Sequence, residues 1–253
     1  MLSYLTPGYP LSLFKAICEV LEAELVIGDG LSGPAEGDDP LTDGRADLAW
    51  VCSTSFVDLA RRPDSAIRLA GVAWAPANEG AVGRPLYHSD VVVRSGATST
   101  DLDDLRGRRI ACNDRFSMSG YHALRIELAR AGHDQDDFAE LVMSGSHRRS
   151  VEMVLAGEID AAVVDGLLLA MWRRDEPRLA GLRTISRLGP WPTQPLIAAE
   201  RLGIDAVDAV QSRLIRAGED ELLRHELARA GLTGFVRVGD DHYAAVDRAM
   251  REV

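Results

Sequence analysis

A short apolar strand, a turn built from Ser, Thr, Asn, Asp or Gly, and an amphipathic helix follow one another repeatedly along this chain, and that succession limits the fold more than any other feature. Strands joined through helices pair in parallel, because the crossover returns the chain to the same end of the sheet. The expectation is an α/β protein with mainly parallel sheets, flanking helices and ligand groups beyond the carboxyl ends of the strands.

The first repeat runs from a strand at Leu2–Leu5 through Thr6–Pro10 into a helix striped by Phe14, Ile17, Cys18, Leu21 and Leu25. A strand at Glu24–Ile27, a loop over Gly28–Gly44, and a strand at Asp47–Cys52 follow. Ser53 is the expected N-cap of the next helix, Phe56–Arg62. Strands at Ile67–Ala73 and Ser89–Arg94 flank a Gly-Arg-Pro turn around Pro85. A second set then appears: strand Arg109–Cys112 with helix Ser119–Ala131, strand Leu141–Met143 with helix His147–Ala156, and strand Ala161–Val164 with helix Gly166–Arg174. After a strand at Leu182–Ser186, the rigid Gly189–Pro192 stretch carries the chain back. A strand at Leu196–Ala199 and helices near Ala206–Arg216, Glu219–Ala230 and Asp240–Arg251 complete the pattern.

Two sets of this kind predict two lobes, one from residues 1–88 and 193–253 and the other from residues 89–192, with crossings near 87–91 and 189–195. The length of 253 residues suits two lobes of ordinary size. No apolar run approaches the roughly 20 residues of a membrane span, so no direct membrane insertion is expected. A formal charge of −11 disfavours a nucleic-acid surface. Lys15 is the only lysine, so a Schiff base or P-loop has one candidate, and it lies on a predicted helix. Cys18, Cys52 and Cys112 lack metal-ligand spacing and read as buried thiols. No cofactor and no metal are expected. No secretory leader is visible in the sequence as given, which reads as cytoplasmic, or as extracytoplasmic if a leader has been removed.

Chemistry concentrates where strands run into helices. Asn113-Asp114-Arg115-Phe116-Ser117-Met118-Ser119-Gly120-Tyr121 places two hydroxyls and free backbone N–H groups at a helix start, a natural seat for an oxyanion. The same residues also suit a plain helix cap, with Ser117 or Ser119 as the capping side chain. Ser144-Gly145-Ser146-His147 has similar construction and brings an imidazole, whose protonation at mildly acidic pH would strengthen anion binding. Asp165 ends a strand and either contacts the ligand or caps its helix. From the first lobe, Trp50, Ser53 and Thr54 hold the same strand-end position, and Tyr9 and Tyr87 lie in turns beside strands.

These residues resemble the phosphate, phosphite and phosphonate substrate-binding proteins of ABC importers, the PhnD-like branch of the type II periplasmic binding proteins. The resemblance spans almost the whole chain. Its carriers are Gly44–Trp50, Tyr87–Val93, Asn113–Asp114 with Ser117–Tyr121, Ser144–His147 and Gly157–Asp165, in that order. It implies a two-lobed fold with a ligand cleft between the lobes, a small oxyanionic ligand and an ABC permease as partner. It also implies oxyanion contacts from Ser117, Ser119, Tyr87 and His147, with Asp165 facing an amino group on the ligand. The chain departs from the pattern at Met118, where the family carries a hydroxyl. Cytoplasmic enzymes of cofactor biosynthesis share this fold, and a catalytic version would use His147, Asp165 and Cys52. A ligand sensor is a third reading.

Overall fold

The computed structural model describes residues 1–6, 8–30, 32–77 and 84–253. Pro7 of the first predicted turn, Leu31 of the predicted loop and Gly83 of the predicted Gly-Arg-Pro turn lie outside the described residues. The chain divides into two compact units, Met1–Leu86 with Pro192–Asp247, and Tyr87–Trp191 with Arg248–Val253.

In chain order, unit 1 opens with β1 (Leu2–Ser3), α1 (Leu11–Leu21), β2 (Val26–Ile27), β3 (Leu48–Trp50), α2 (Ser53–Ala60) and β4 (Ile67–Pro76). Then come β5 (Leu86–Arg94), β6 (Arg109–Cys112), a π turn at Met118–His122, α3 (Ala123–Arg130), α4 (Gln135–Phe138), β7 (Glu140–Met143), α5 (His147–Ala156), β8 (Ala161–Asp165), α6 (Gly166–Asp175) and β9 (Leu182–Pro192). The chain ends with β10 (Pro195–Ala199), α7 (Ile204–Ile215), α8 (Glu221–Arg229), β11 (Leu232–Arg237) and α9 (Ala244–Met250). Among the described residues no helix is long and apolar enough to cross a membrane.

The unit 1 sheet has the order β11-β4-β10-β3-β1-β2, and the unit 2 sheet the order β7-β6-β8-β5-β9. The strands that helices connect are parallel: β1 with β2 and β3, and β6 with β7 and β8. Both sheets are nevertheless mixed. β10 runs antiparallel to β3 and β4, β11 to β4, and β5 to β8. β10 follows β9 after only a short link, so no helical period precedes it to report its direction.

The core of unit 1 gathers Leu2, Tyr4, Leu41, Ala49, Val51, Leu59 and Ile197. Beside it Trp50 and Trp74 stack at 4.1 Å, with Tyr9 5.9 Å and Phe235 5.5 Å from the Trp74 ring. Helix α1 buries Leu13, Phe14, Ile17, Cys18 and Leu21, the predicted stripe less Leu25, because the left-handed Glu22 ends the helix first. Helix α2 begins earlier than expected. Cys52 is its extended N-cap, and Ser53, the predicted cap, is its first helical residue.

Two further differences have physical reasons. The Gly189–Pro192 stretch, predicted as a rigid return, continues strand β9; proline is tolerated there because β9 is the edge of its sheet. The helix predicted over Ser119–Ala131 begins as a π turn, with His122 N donating to Ser117 O at 3.0 Å. Ala123, Leu124, Ile126 and Leu128 are buried, whereas Tyr121 in the π turn and Ala131 at the C-cap are not.

Candidate functional site

In unit 2 the carboxyl ends of β7, β6 and β8 lie along one rim, and antiparallel β5 contributes its opening residues to the same end, since Ser89 pairs with Asp165. The loops on this rim are tied by backbone bonds. Ser144 N donates to Cys112 O at 2.8 Å and Gly145 N to Asn113 O at 3.0 Å. Those bonds hold the start of α5 beside the loop after β6, where the π turn begins.

Ser117 is the N-cap of the π turn and accepts from Gly120 N at 3.1 Å. Ser119, next but one, turns elsewhere: its Oγ lies 3.3 Å from His147 Nε2. Which of the two donates depends on the histidine tautomer. Gly120 sits against both neighbours. A β-carbon there would stand 1.7 Å from Asn113 Oδ1 and 2.8 Å from His147 Cε1, so only glycine allows the π turn, Asn113 and His147 to meet. Ser117, Ser119 and Asn113 are all buried.

Asn113 lies on the same rim, in a sequence motif that assigned it no role. Its Nδ2 donates to Asp114 Oδ2 at 2.6 Å, while its buried Oδ1 has no hydrogen-bond partner among the described residues. Ser89 is a second such residue, fully buried, with its Oγ likewise unpartnered. The available signal was position alone, at the end of one strand and near the start of another.

Burial of the imidazole pushes the pKa of His147 down to about 4, against the raising influence of a backbone hydrogen bond with Val163. Part of the residue's surface remains open at the start of α5, but the ring is enclosed by the π turn and β8. The expectation that mildly acidic pH protonates His147 and strengthens anion binding is therefore corrected. In this environment the ring is neutral there and acts as a hydrogen-bonding group. His122, on the π turn, is also pushed down to about 4, chiefly by burial.

Ser146 caps α5 by accepting from Arg149 N at 3.1 Å. Asp165 caps α6, its Oδ1 accepting from Leu167 N at 2.8 Å and Leu168 N at 3.2 Å. Tyr87 is buried on β5, two residues before Ser89 and on the same face of the strand. Tyr121 is half-buried, with the Arg125 guanidinium 5.5 Å from its ring centre. The Met118 side chain, at the position that departs from the family pattern, is wholly buried and belongs to the unit 2 core.

In unit 1, Trp50, Ser53, Thr54 and Tyr9 are all buried near the end of β3 and the start of α1 and α2. The Trp50 indole N–H and the Ser53 hydroxyl have no hydrogen-bond partner among the described residues, whereas Thr54 Oγ1 donates to Cys52 Sγ at 3.2 Å. Buried polar groups are nearly always paired, so unpartnered ones call for a partner such as water or a ligand. Cys52, the thiol of the catalytic reading, is buried in unit 1, while His147 and Asp165 belong to unit 2. Cys18 and Cys112 are buried free thiols as well, and burial followed by the charge of Asp114 pushes Cys112 up to about 12. Among the described residues no group of three His, Cys, Asp or Glu is placed to hold a metal ion.

Residues 34–243 match the family described as the periplasmic substrate-binding protein of phosphonate ABC transporters. No curated protein sequence matches the chain. Among solved structures, a binding protein component of an ABC phosphonate transporter from Pseudomonas aeruginosa is similar at a TM-score of 0.77 and 15% identity, covering 98% of this chain and 80% of that one. A PhnD protein from Prochlorococcus marinus in complex with methylphosphonate is similar at a TM-score of 0.74 and 16% identity, covering 99% and 96%. The aliphatic sulphonate-binding protein SsuA from Escherichia coli is similar at a TM-score of 0.61 and 14% identity, covering 99% and 84%.

Proposed function

The chain belongs to the periplasmic phosphonate substrate-binding proteins of ABC transporters, and we propose that it holds a small phosphorus oxyanion on the unit 2 rim built by Asn113, Ser117, Ser119, Gly120 and His147. The fold is that of the type II periplasmic binding proteins. The observation that carries the assignment is the meeting of Ser119 Oγ with His147 Nε2 beside a glycine whose missing side chain lets Asn113 and His147 close on the same helix start. A helix start supplies N–H donors and the positive end of its dipole, and the Ser119 hydroxyl, held by His147, adds a side-chain donor.

Tyr87, Tyr121, Ser146 and Asp165 are proposed as neighbouring contacts, with Asp165 meeting an amino group when the ligand carries one. Unit 1 is proposed to contribute Tyr9, Trp50, Ser53 and Thr54, and the unpartnered Trp50 N–H and Ser53 hydroxyl support that. Methylphosphonate in the Prochlorococcus relative supports the ligand class. The partner in this reading is an ABC permease that receives the ligand, and the station is outside the cytoplasmic membrane. Cell fractionation tests the station, and ligand-dependent copurification with a permease tests the partnership.

The direct test is ligand-induced thermal stabilisation with methylphosphonate, phosphite, phosphate and small carboxylates. A ligand at about 100 times its Kd adds roughly 2.7 kcal/mol to stability. A shift for methylphosphonate that Ser119→Ala diminishes is the expected result. No shift for any phosphorus oxyanion overturns the proposal.

A further inference from the structure

The proposed rim contains a group that a fully ionised oxyanion leaves unsatisfied. Asn113 is 4% exposed, and its Oδ1 has no hydrogen-bond partner among the described residues. Its orientation is fixed, because Nδ2 donates to the Asp114 carboxylate at 2.6 Å and a carboxylate accepts but does not donate. The free atom is therefore an acceptor. It packs against the bare Cα of Gly120, next to the His147 ring. An oxyanion without a proton offers this atom only a second acceptor, which repels it.

We propose that Asn113 makes the site select oxyanions that carry a proton, so that a monoprotonated phosphonate is held through P–O–H donation to Asn113 Oδ1 while a charge-matched sulfonate is rejected. The inference rests on the reading of this rim as the oxyanion site and names the ionic form it takes. A pocket built to pair with a ligand hydroxyl discriminates strongly against the analogue that lacks it, because the protein group is left buried and unpaired.

The charged and titratable groups around Asn113 agree. Asp114 on the same loop holds the amide, Cys112 ends the preceding strand, His122 lies on the π turn, His147 starts α5 and Asp165 ends β8. None of these is a cation near neutral pH. The arginines on the adjoining helices are engaged: Arg125 with Asp136 at 2.9 Å, Arg148 with Glu176 at 2.6 Å and Arg149 with Glu158 at 2.8 Å. Arg115, on the loop itself, is exposed. A site whose buried contacts include no cation but do include an amide oxygen and the Asp165 carboxylate suits a monoanion with a proton better than a dianion.

Calorimetric titration of the full chain with methylphosphonate and with methanesulfonate, from pH 5.5 to 9, tests this. The two ligands match in shape, and near pH 6 in charge, but only methylphosphonate carries a proton on oxygen. Methylphosphonate is expected to bind roughly ten- to a hundredfold more tightly near pH 6. Its affinity should fall as its second proton is lost. His147 and His122, both near 4, stay neutral across that range, so the profile reports the ligand. Asn113→Leu should narrow the preference, and the wild-type comparison stands even if that variant does not fold. Equal affinity for the two ligands, or methylphosphonate affinity that rises with pH, overturns the inference and leaves the site assignment intact. Binding of neither ligand overturns both.

Discussion

Gly120 is the residue on which the site turns, because the atoms on either side of it belong to two other elements. Gly120→Ala would drive a methyl group into Asn113 Oδ1 and the His147 ring. The expected result is loss of oxyanion binding together with a lowered Tm, measured by calorimetry and thermal unfolding. Ser119→Ala removes only a hydroxyl, so binding should weaken by about 1–3 kcal/mol with the Tm nearly unchanged. Retained affinity would place the ligand elsewhere. For His147→Ala the loss of affinity should be the same at pH 5.5 and pH 8, since the wild-type ring is neutral at both.

Among the elements, the helix starts carry caps as well as the proposed ligand contacts, and substitutions can separate the two roles. Ser117 caps the π turn and Asp165 caps α6. Losing a capping side chain costs about 1 kcal/mol. Asp165→Asn keeps a capping oxygen and removes the charge. Equilibrium denaturation should therefore show Asp165→Ala less stable by about that amount and Asp165→Asn close to wild type. If Asp165 also meets an amino group, Asp165→Asn should weaken aminoethylphosphonate without affecting methylphosphonate. The π turn was not legible in the sequence, because a one-residue widening leaves no mark in residue type. The local pattern predicted a plain helix, and the wide turn shows only in three dimensions, in the bond from His122 N to Ser117 O.

For the whole molecule, acidity and charge distribution govern what solution experiments see. His147 and His122 are held near 4 in the folded chain, against about 6.5 when unfolded. Between those values the unfolded state binds the protons that the folded state refuses. The stability these rings confer is thus full above about pH 6.5 and is lost as the pH falls toward 4. Thermal unfolding should show Tm dropping through that window, and a His122→Gln, His147→Gln variant should show a shallower drop. Charge is divided unevenly: unit 1 holds 12 basic and 22 acidic residues, and unit 2 holds 16 and 17. The net field repels an incoming anion. Raising ionic strength from about 0.01 M to 0.15 M shortens the screening length from about 30 Å to about 8 Å. Stopped-flow association of methylphosphonate should accelerate with salt, and slowing would mean that local positive potential at the rim dominates.

The sequence by itself determined the α/β class, the family and the segments that end at the rim, because strand and helix periods and turn residues are local signals that the chain states directly. Strand β6 and helix α5 have their predicted bounds for that reason. Sheet direction was only partly legible, since β5, β10 and β11 pair through contacts distant in sequence. The tertiary structure alone decided that Ser119, Gly120, Asn113 and His147 meet, that Ser117, Ser146 and Asp165 cap helices, and that His147 is neutral. Each of these depends on burial and on partners brought in from other strands, and burial is a property of the packed molecule rather than of any segment.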